Sequence, residues 1–246
     1  MTTTVRRALV TGSTSGIGQA IAEAFAAQGA HVLITGRDAR RGEEVVAAIR
    51  RAHGKADFAH ADLSSVASAT NLAAQAERIL GGVDILVNNA GIFTFGPTAE
   101  ATAEGFDAMY ATNVKAPLLL TGRLAPAMAE RGWGRIVNIT TMVAYIGMAG
   151  AALYGSSKAA LQLLTQAWAA EYGPAGVTVN SIAPGPVRTP GTAGMGDALE
   201  QIGKTVPAGR VATPAEIAAA AAFLTSEAAS YVNGATLAVD GGRVAV

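Results

Sequence analysis

The stretch Thr11-Gly12-Ser13-Thr14-Ser15-Gly16-Ile17-Gly18, residues 11–18, decides the fold of this chain. It ends a short apolar run, Ala8–Thr11, which is typical of a β-strand. It leads into a segment, Ile17–Phe25, in which apolar residues recur at helical spacing. The order of strand, glycine-rich turn and helix predicts the first unit of an α/β fold.

The three glycines of this stretch have separate uses in such a turn. Gly12 permits the tight turn, Gly16 lets the backbone approach a phosphate, and Gly18 lets the helix pack close to the sheet. The free N–H groups at the start of the helix then face an anion. The turn is therefore predicted to bind the pyrophosphate of a dinucleotide, because its glycines lie between a strand and a helix.

Strand and helix patterns alternate along the rest of the chain. Repeated βα units require right-handed crossovers and give a parallel sheet covered on both faces. We therefore predict one doubly wound α/β domain over residues 1–246, in which the Gly- and Pro-rich segment 186–210 is a flexible, loop-like substrate-binding segment. The predicted strands are 8–11, 31–35, 58–62, 83–87, 135–139, 177–182 and 235–239, and a long helical stretch is predicted over 102–131.

Composition excludes several classes of protein. Half of the 246 residues are hydrophobic and 15% are charged, which rules out intrinsic disorder. The 18 Lys and Arg residues together balance the 18 Asp and Glu residues. The chain therefore lacks the excess of positive charge that is typical of proteins binding nucleic acid or an anionic membrane. The chain has no cysteine and no recognisable export signal, which predicts a cytoplasmic location. The three histidines lack ligand spacing, so no metal site is expected.

Four motifs occur in an order that matches a known family. They are Thr11-Gly12-x-x-x-Gly16-Ile17-Gly18, Asn88-Asn89-Ala90-Gly91, Tyr154-x-x-x-Lys158 and Pro184-Gly185. Together they resemble the classical short-chain dehydrogenase/reductase family, over the range Ala8–Gly242. The resemblance implies a seven-stranded Rossmann-type sheet, a nicotinamide cofactor and a homotetramer.

Tyr154 and Lys158 are the central pair of candidate catalytic residues. A spacing of four residues places both on one face of a helix. The pKa of a free tyrosine is near 10, and a nearby ammonium group is expected to lower it. The resemblance implies that Tyr154 exchanges a proton with the substrate oxygen and that Lys158 also binds the nicotinamide ribose.

The resemblance assigns roles to two further residues. Asn113 matches an asparagine that disturbs the preceding long helix and joins a proton relay through water. Thr141 stands thirteen positions before Tyr154, where the family usually has serine. A threonine hydroxyl can still donate to a substrate oxygen, although its methyl group stiffens the side chain. Thr140 is the rival donor, but neighbouring side chains of a strand face opposite ways, so only one of the two should face the site.

Cofactor preference is expected to depend on the residues after the second strand. An enzyme selective for NAD places an acid there to bind the ribose 2′-hydroxyl. Here Gly36 occupies that position and Arg37 follows it, and arginine suits a 2′-phosphate. Arg40 and Arg41 could add positive charge, and Asp38 is interpreted as a helix cap. NADP is therefore predicted, with NAD as the alternative.

The remaining candidate residues follow from the resemblance alone. Segments that line the substrate pocket in relatives are mostly apolar here, which favours a neutral ketone, although Arg188, Lys204 and Arg210 leave an anionic substrate open. The pocket candidates are Phe93, Phe95, Met142, Ala144, Met148 and Met195. The cofactor candidates are Gly12, Ser13, Thr14, Ser15, Gly16, Ile17, Gly18, Arg37, Asp62, Leu63, Asn89, Ala90, Gly91, Tyr154, Lys158, Pro184, Gly185, Val187 and Thr189.

Two other functions are compatible with these motifs. A 3-oxoacyl-[acyl-carrier-protein] reductase would share them, but it needs a basic patch for the carrier, which the neutral charge balance does not obviously supply. A dinucleotide-sensing binding protein that has lost catalysis would need only the glycine loop, so the presence of Tyr154 and Lys158 argues against it.

Overall fold

The structure is a computed structural model that describes residues 5–246; residues 1–4 of the predicted domain lie outside the described range. Within that range the strands form one parallel sheet in the order β3-β2-β1-β4-β5-β6-β7. The predicted doubly wound fold is confirmed. The strands are β1 (Arg7–Val10), β2 (His31–Gly36), β3 (Lys55–His60), β4 (Ile85–Asn88), β5 (Gly134–Ile139), β6 (Val177–Pro184) and β7 (Thr236–Val239).

Helices cover both faces of the sheet, and each face has its own apolar core. Val10 packs with one set of helices and Leu9 with the other, because neighbouring side chains of a strand point to opposite faces. The first core contains side chains of α1, α2 and α8, and the second contains side chains of α3, α5 and α6. The helices are α1 (Gly16–Ala27), α2 (Ala39–Arg51), α3 (Val66–Leu80), α4 (Ala103–Tyr110), α5 (Ala116–Glu130), α6 (Ala152–Tyr172), α7 (Asp197–Thr205) and α8 (Pro214–Thr225).

The strand order reverses direction between β1 and β4. Chain segments that leave the carboxyl ends of these two strands turn to opposite faces and leave a crevice between them. Such a crevice is where open α/β sheets bind ligands. The glycine-rich turn follows β1 and the Asn88–Gly91 motif follows β4, so the topology brings both motifs to the crevice.

The prediction of a loop over residues 186–210 is wrong. A 3₁₀-helix covers Pro190–Met195, and the helix α7 covers Asp197–Thr205. Acidic residues lie in the first turn of α7 and Lys204 lies in its last turn, an arrangement that favours a helix through its dipole. Pro190 starts the 3₁₀-helix and Gly196 precedes α7, but Gly191, Gly194 and Gly203 lie inside the helices, so the glycine content did not mark a loop.

Two further elements differ from the sequence prediction. The long helical stretch over 102–131 is divided by a π-helical turn, Ala111–Lys115, between α4 and α5. The third strand begins at Lys55 and ends at His60, whereas the prediction placed it at 58–62. Lys55 and His60 are exposed because β3 is the edge strand, so the apolar pattern marked only part of the strand.

Candidate active site

The glycine-rich turn between β1 and α1 leaves no room for side chains at two of its glycines. Gly12 has a φ of 63°, and a Cβ there would lie 2.9 Å from the Cα of Ala90. A Cβ on Gly18 would collide with the Gly12 carbonyl and the Asn89 amide. These glycines let the turn pack directly against the Asn89–Ala90 segment. Gly12, Gly16 and Gly18 also line the cavities beside the start of α1 without a side chain, which fits a pyrophosphate there.

Ser13 is the one predicted cofactor residue of this turn whose side chain points into the protein. Its hydroxyl donates to the Val10 carbonyl at 2.7 Å and accepts from the Thr35 N–H at 2.9 Å. The side chain is fully buried. Ser13 therefore supports the turn from inside the protein, and its hydroxyl does not face the crevice.

Two cavities lie along the crevice, and we name each after one residue. The Tyr154 cavity has a volume of about 250 Å³ and the Arg37 cavity about 450 Å³. They share Ser15, Asn89, Gly91 and Ile92, so they adjoin along one groove. The predicted cofactor residues in the Tyr154 cavity are Ser15, Gly16, Ile17, Gly18, Asn89, Gly91, Tyr154, Lys158, Pro184, Gly185, Val187 and Thr189; those in the Arg37 cavity are Gly12, Thr14, Ser15, Arg37, Asp62, Leu63, Asn89, Ala90 and Gly91.

Tyr154 and Lys158 lie one turn apart on α6 and both line the Tyr154 cavity. Lys158 is 3% exposed, and its Nζ donates to the Ile139 carbonyl at 2.9 Å. Burial lowers the pKa of Lys158 to about 8, because the charged ammonium is poorly solvated. Gly91 passes beside this amine, and a Cβ at Gly91 would lie 3.1 Å from Nζ.

The predicted lowering of the Tyr154 pKa by Lys158 is not found in this structure. Burial raises the pKa of Tyr154 above its usual value, and this effect outweighs a hydrogen bond with Thr141 that lowers it. The amine of Lys158 is bound to the Ile139 carbonyl, so the sequence spacing alone did not reveal its partner. Thr141 is the group that favours the phenolate here.

Thr140 and Thr141 have different hydrogen-bond partners. Thr140 Oγ1 donates to the Ile182 carbonyl at 2.9 Å, a bond that ties β5 to β6. Thr141 Oγ1 accepts from the Val143 N–H at 3.3 Å. Both residues border the Tyr154 cavity, but Thr141 is the one that acts on Tyr154, because it favours a lower pKa of the phenol.

Asn113 lies in the π-helical turn between α4 and α5. This turn is the disturbance of the long helix that the sequence resemblance predicts at Asn113. Its Oδ1 accepts from the Ile92 N–H, and its Nδ2 donates to the Ile92 carbonyl, both at 2.9 Å. Nδ2 also donates to Ser157 Oγ at 3.0 Å, and Ser157 in turn donates to the Tyr154 carbonyl. A Cβ at Gly91 would lie 3.2 Å from Asn113 Oδ1, so this side chain borders the same space as Lys158.

The end of β2 has no space for an acidic side chain. A Cβ on Gly36 would lie 2.7 Å from Thr14 Cγ2 and 2.9 Å from Thr14 Oγ1. Arg37, the next residue, is exposed and lines the Arg37 cavity. Asp38 caps α2 as predicted, since its carboxylate accepts from the Arg41 N–H at 3.0 Å.

The three nearby arginines differ in their partners. Arg40 pairs with Glu44 at 2.6 Å and Arg41 with Asp38 at 3.1 Å. Arg37 has no carboxylate within ion-pair distance in the described part of the chain. It lies near Asp62, whose pKa is lowered mainly by the Ser64 N–H and to a smaller extent by Arg37. Arg37 is thus the arginine available to a ligand in this cavity.

The predicted substrate-pocket residues are only partly brought together. Phe93 lines the Tyr154 cavity, and Phe95 lines a neighbouring cavity of about 450 Å³ that we name the Phe95 cavity. Met142, Ala144, Met148 and Met195 line neither of these two cavities. The prediction missed Ile92, Gly191 and Thr192, which do border the Tyr154 cavity. The signal for the last two was the capping pattern Thr189-Pro190-x-Thr192, which starts the 3₁₀-helix.

Known proteins resemble this chain over nearly its whole length. A family model described as enoyl-(acyl carrier protein) reductase matches residues 12–243. A solved structure of a short chain dehydrogenase/reductase family protein is 50% identical, with a TM-score of 0.91 and 98% of each chain covered. The chain belongs to the short-chain dehydrogenase/reductase family. The family and the enzyme class predicted from the sequence are thereby confirmed.

Two further proteins are similar over nearly the whole chain. The 2,5-dichloro-2,5-cyclohexadiene-1,4-diol dehydrogenase of Sphingobium indicum is 39% identical over 236 residues, which is 96% of this chain and 94% of that protein. A blue fluorescent protein from a metagenomic library, solved in complex with NADPH, is 35% identical. Its TM-score is 0.91, and the match covers 96% of this chain and 97% of that chain.

Residues 5–246 lack two kinds of feature. No helix in that range is long and apolar enough to span a membrane. No group of three or more His, Asp or Glu side chains in that range is arranged to hold a metal ion.

Proposed function

We propose that this protein is an NADP(H)-dependent oxidoreductase that transfers a hydride between the nicotinamide and a carbonyl or secondary alcohol substrate. The observation that supports this most directly is that Tyr154, Thr141 and Lys158 line one cavity, which shares lining residues with the cavity of the glycine-rich turn. It places two hydroxyl groups beside the space that leads to the cofactor cradle. NADP(H) supplies or accepts the hydride when it is bound.

The four polar residues of the site then have complementary tasks. Tyr154 gives a proton to the substrate oxygen during reduction and takes it back during oxidation. Thr141 donates a hydrogen bond to the same oxygen as negative charge develops on it. Lys158 binds the nicotinamide ribose and, when charged, favours the tyrosinate. Asn113 joins a proton relay that leads from Lys158 to solvent.

Arg37 supports NADP as the preferred cofactor, with NAD as the second candidate. Its guanidinium is exposed in the Arg37 cavity, whereas Arg40 and Arg41 are paired with carboxylates. Arginine binds phosphate through two parallel hydrogen bonds, which suits the 2′-phosphate of NADP. Thr14 fills the space beside Gly36, where an acid selective for NAD would stand.

A neutral, apolar ketone is the substrate that the cavity suits best. Among the described residues that line the Tyr154 cavity, the ionisable side chains are Tyr154 and Lys158, which the reaction itself uses. The arginines that had left an anionic substrate open are paired: Arg188 with Glu200 at 2.7 Å, and Arg210 with Glu216 at 2.6 Å. A carboxylate or phosphate on the substrate would thus have to compete for either arginine, and Lys204, the third cation, lies in the last turn of α7 and does not line the Tyr154 cavity.

Two alternatives remain, and one assay separates them. A 3-oxoacyl-[acyl-carrier-protein] reductase is supported by a relative of that name in Aquifex aeolicus, which is 37% identical over 236 residues, 95% of each chain. A dinucleotide-sensing protein without catalysis is the alternative of another class. NADPH oxidation is measured with a panel of free ketones and with a 3-oxoacyl carrier protein. Turnover of free ketones supports the proposal, turnover of the carrier substrate alone supports the first alternative, and binding without turnover supports the second.

A homotetramer in the cytoplasm, built from one domain per chain, stays part of the proposal. Apolar side chains are exposed on the helices α4, α5 and α6, as expected of surfaces that pair between subunits: Phe106 is 46% exposed, Leu118 45% and Leu163 67%. Light scattering tests the assembly. A mass near that of the 24.7 kDa monomer at working concentration would contradict it.

A further inference from the structure

Three aromatic rings lie close together beside the Tyr154 cavity: Phe93 and Tyr154 line it, and Phe95 lines the neighbouring Phe95 cavity. The ring centroids of Phe93 and Phe95 are 5.9 Å apart, and they lie 6.0 Å and 5.9 Å from that of Tyr154. The ring planes are tilted by 47°, 60° and 78°, so no two of them stack face to face. We call these three residues the aromatic trio. Its members are equidistant, and one of them is the proposed proton donor.

Both phenylalanines are partly open to solvent. Phe93 is 39% exposed and Phe95 is 48% exposed, although each is a large apolar side chain. Adjacent exposed rings at the edge of a cleft are typical of a ligand-binding surface, because they gain stability when an apolar partner covers them. The trio is therefore an apolar surface that is incomplete without a ligand.

The segment that bears these rings has no regular secondary structure, yet it is fixed at both ends. Asn113 binds both backbone polar groups of Ile92 at one end. At the other end the Gly96 N–H donates to the Gly150 carbonyl at 2.8 Å. A Cβ on Gly191 would lie 3.8 Å from the Phe93 ring, so the 3₁₀-helix after β6 borders the ring from the third side. The rings are thus held in place before any ligand arrives.

We propose that the aromatic trio is a subsite for a ring, so that the substrates are ketones whose carbonyl carbon lies in a ring or is attached to one, and the corresponding alcohols. This inference rests on the proposed oxidoreductase function. A substrate whose oxygen meets Tyr154 and Thr141 places its carbon skeleton beside Phe93 and Phe95. A rigid ring covers these side chains without losing internal rotations, whereas an open chain must give up several on binding.

The test compares cyclohexanone with hexan-2-one, two neutral ketones of equal carbon number. NADPH oxidation is followed for the parent and for Phe93→Leu, Phe95→Leu and Phe223→Leu. Phe223 is the matched control, because it is 46% exposed but lies on α8, away from both cavities. In the parent, kcat/KM should favour cyclohexanone by about tenfold or more. Phe93→Leu and Phe95→Leu should erode this preference mainly through KM, with little change in kcat or in the KM for NADPH.

Each outcome decides for or against the subsite. A parent without preference for the ring, or a preference that survives both Phe93→Leu and Phe95→Leu, would overturn it. Loss of activity toward both ketones in one variant points to misfolding, and the other variant then decides. If the parent reduces no ketone, the proposed function fails. The subsite is then judged by saturation-transfer NMR of cyclohexanone and hexan-2-one on the protein with NADP⁺, where weaker ring binding in Phe95→Leu still supports it and unchanged binding refutes it.

Discussion

Asn113 binds Ile92 through both of the backbone polar groups of that residue, with two hydrogen bonds of 2.9 Å. The second hydrogen of the Asn113 amide goes to Ser157, so the side chain also connects the π-helical turn to α6. This one carboxamide therefore holds the segment that leads to Phe93 and stabilises the helix that carries Tyr154. Asn113 thus has a structural role in addition to the role in a proton relay that the sequence resemblance implies.

Substituting Asn113 should reduce stability and activity together. Asn113→Ala leaves the Ile92 N–H and carbonyl without these partners, and each buried polar group left unpaired costs about 1–3 kcal/mol. We expect the free energy of unfolding to fall by about 2 kcal/mol or more, as measured by urea denaturation. We also expect a higher KM for the ketone, because the Phe93 segment is released at one end.

Asn180 provides the matched control for that variant. It is buried, and it holds another chain segment in the same way, through the Val232 carbonyl at 2.8 Å and the Ala235 N–H at 3.0 Å. Asn180→Ala should lower the free energy of unfolding by a comparable amount. Its KM for the ketone, measured at a temperature at which the variant is folded, should equal that of the parent. Equal changes of KM in both variants would show that Asn113 acts only through stability.

Arg37 should determine the preference between the two nicotinamide cofactors. Arg37→Ala removes one charged partner of the 2′-phosphate, which typically costs about 1.5–3 kcal/mol, or a ten- to hundredfold loss of NADPH affinity. NADH lacks this phosphate, so its affinity should be unchanged. Fluorescence titration with both cofactors measures the effect. Arg40 is paired with Glu44, so Arg40→Ala should reduce the affinity for NADPH much less. If Arg37→Ala reduces the affinities for NADPH and NADH equally, Arg37 does not bind the 2′-phosphate.

The parts of the fold that could be predicted are those specified by local sequence. The glycine-rich turn, the buried strands and the Asp38 cap each depend on a few neighbouring residues, and all are found. The Tyr154-x-x-x-Lys158 spacing likewise predicted two side chains on one helix face, which the structure shows. Patterns of this kind work because the hydrogen bonds or contacts they require are made within the same segment.

The features that escaped prediction depend on contacts between distant segments. The amine of Lys158 binds the Ile139 carbonyl nineteen residues earlier, which no spacing within α6 indicates. The start of β3 at Lys55 depends on pairing with β2, since its own residues there are polar and exposed. The aromatic trio exists only because Asn113 and Gly150 fix an irregular segment against α6. Tertiary structure decides these features, and the local pattern does not.

Thr141 should be the hydroxyl that assists Tyr154. Thr141→Ala removes a hydrogen-bond donor aimed at the reacting oxygen, and such a loss commonly lowers kcat by about 10²–10³-fold. Thr141→Ser keeps the hydroxyl and removes only a methyl group, so most of the activity should persist. Single-turnover hydride transfer, monitored by NADPH absorbance, measures both variants.

Thr140→Ala is the control for the Thr141 variants. The Thr140 hydroxyl donates to the Ile182 carbonyl, so its loss should cost about 1 kcal/mol of stability and leave the hydride-transfer rate nearly unchanged. If Thr140→Ala reacts more slowly than Thr141→Ala, the assignment of the two hydroxyls is reversed.

Lys158 should make the protein more stable as pH rises above neutrality. Its pKa is about 8 in the folded protein and near that of a free lysine in the unfolded chain. Between these values the unfolded chain binds a proton that the folded protein does not, so the free energy of unfolding increases with pH, by at most about 1.4 kcal/mol per pH unit. Lys158→Met removes this contribution. Urea unfolding of both proteins from about pH 7 to about pH 10 should diverge by roughly 3 kcal/mol; parallel curves would show that Lys158 is not perturbed.

Gly36 should accept an aspartate only when Thr14 is shortened. Gly36→Asp introduces the acid that binds the ribose hydroxyls of NAD, but its Cβ would lie 2.7 Å from Thr14 Cγ2. The single variant should therefore bind both cofactors poorly. Adding Thr14→Ala removes the colliding atoms and leaves the Cβ atoms of residues 14 and 36 at an ordinary distance of 3.4 Å. The affinity for NADH should therefore recover, while the affinity for NADPH stays low. Thr14→Ala alone is the control and should keep the NADPH preference. If Gly36→Asp binds NADH well without the second change, the close packing of Thr14 against Gly36 does not limit cofactor choice.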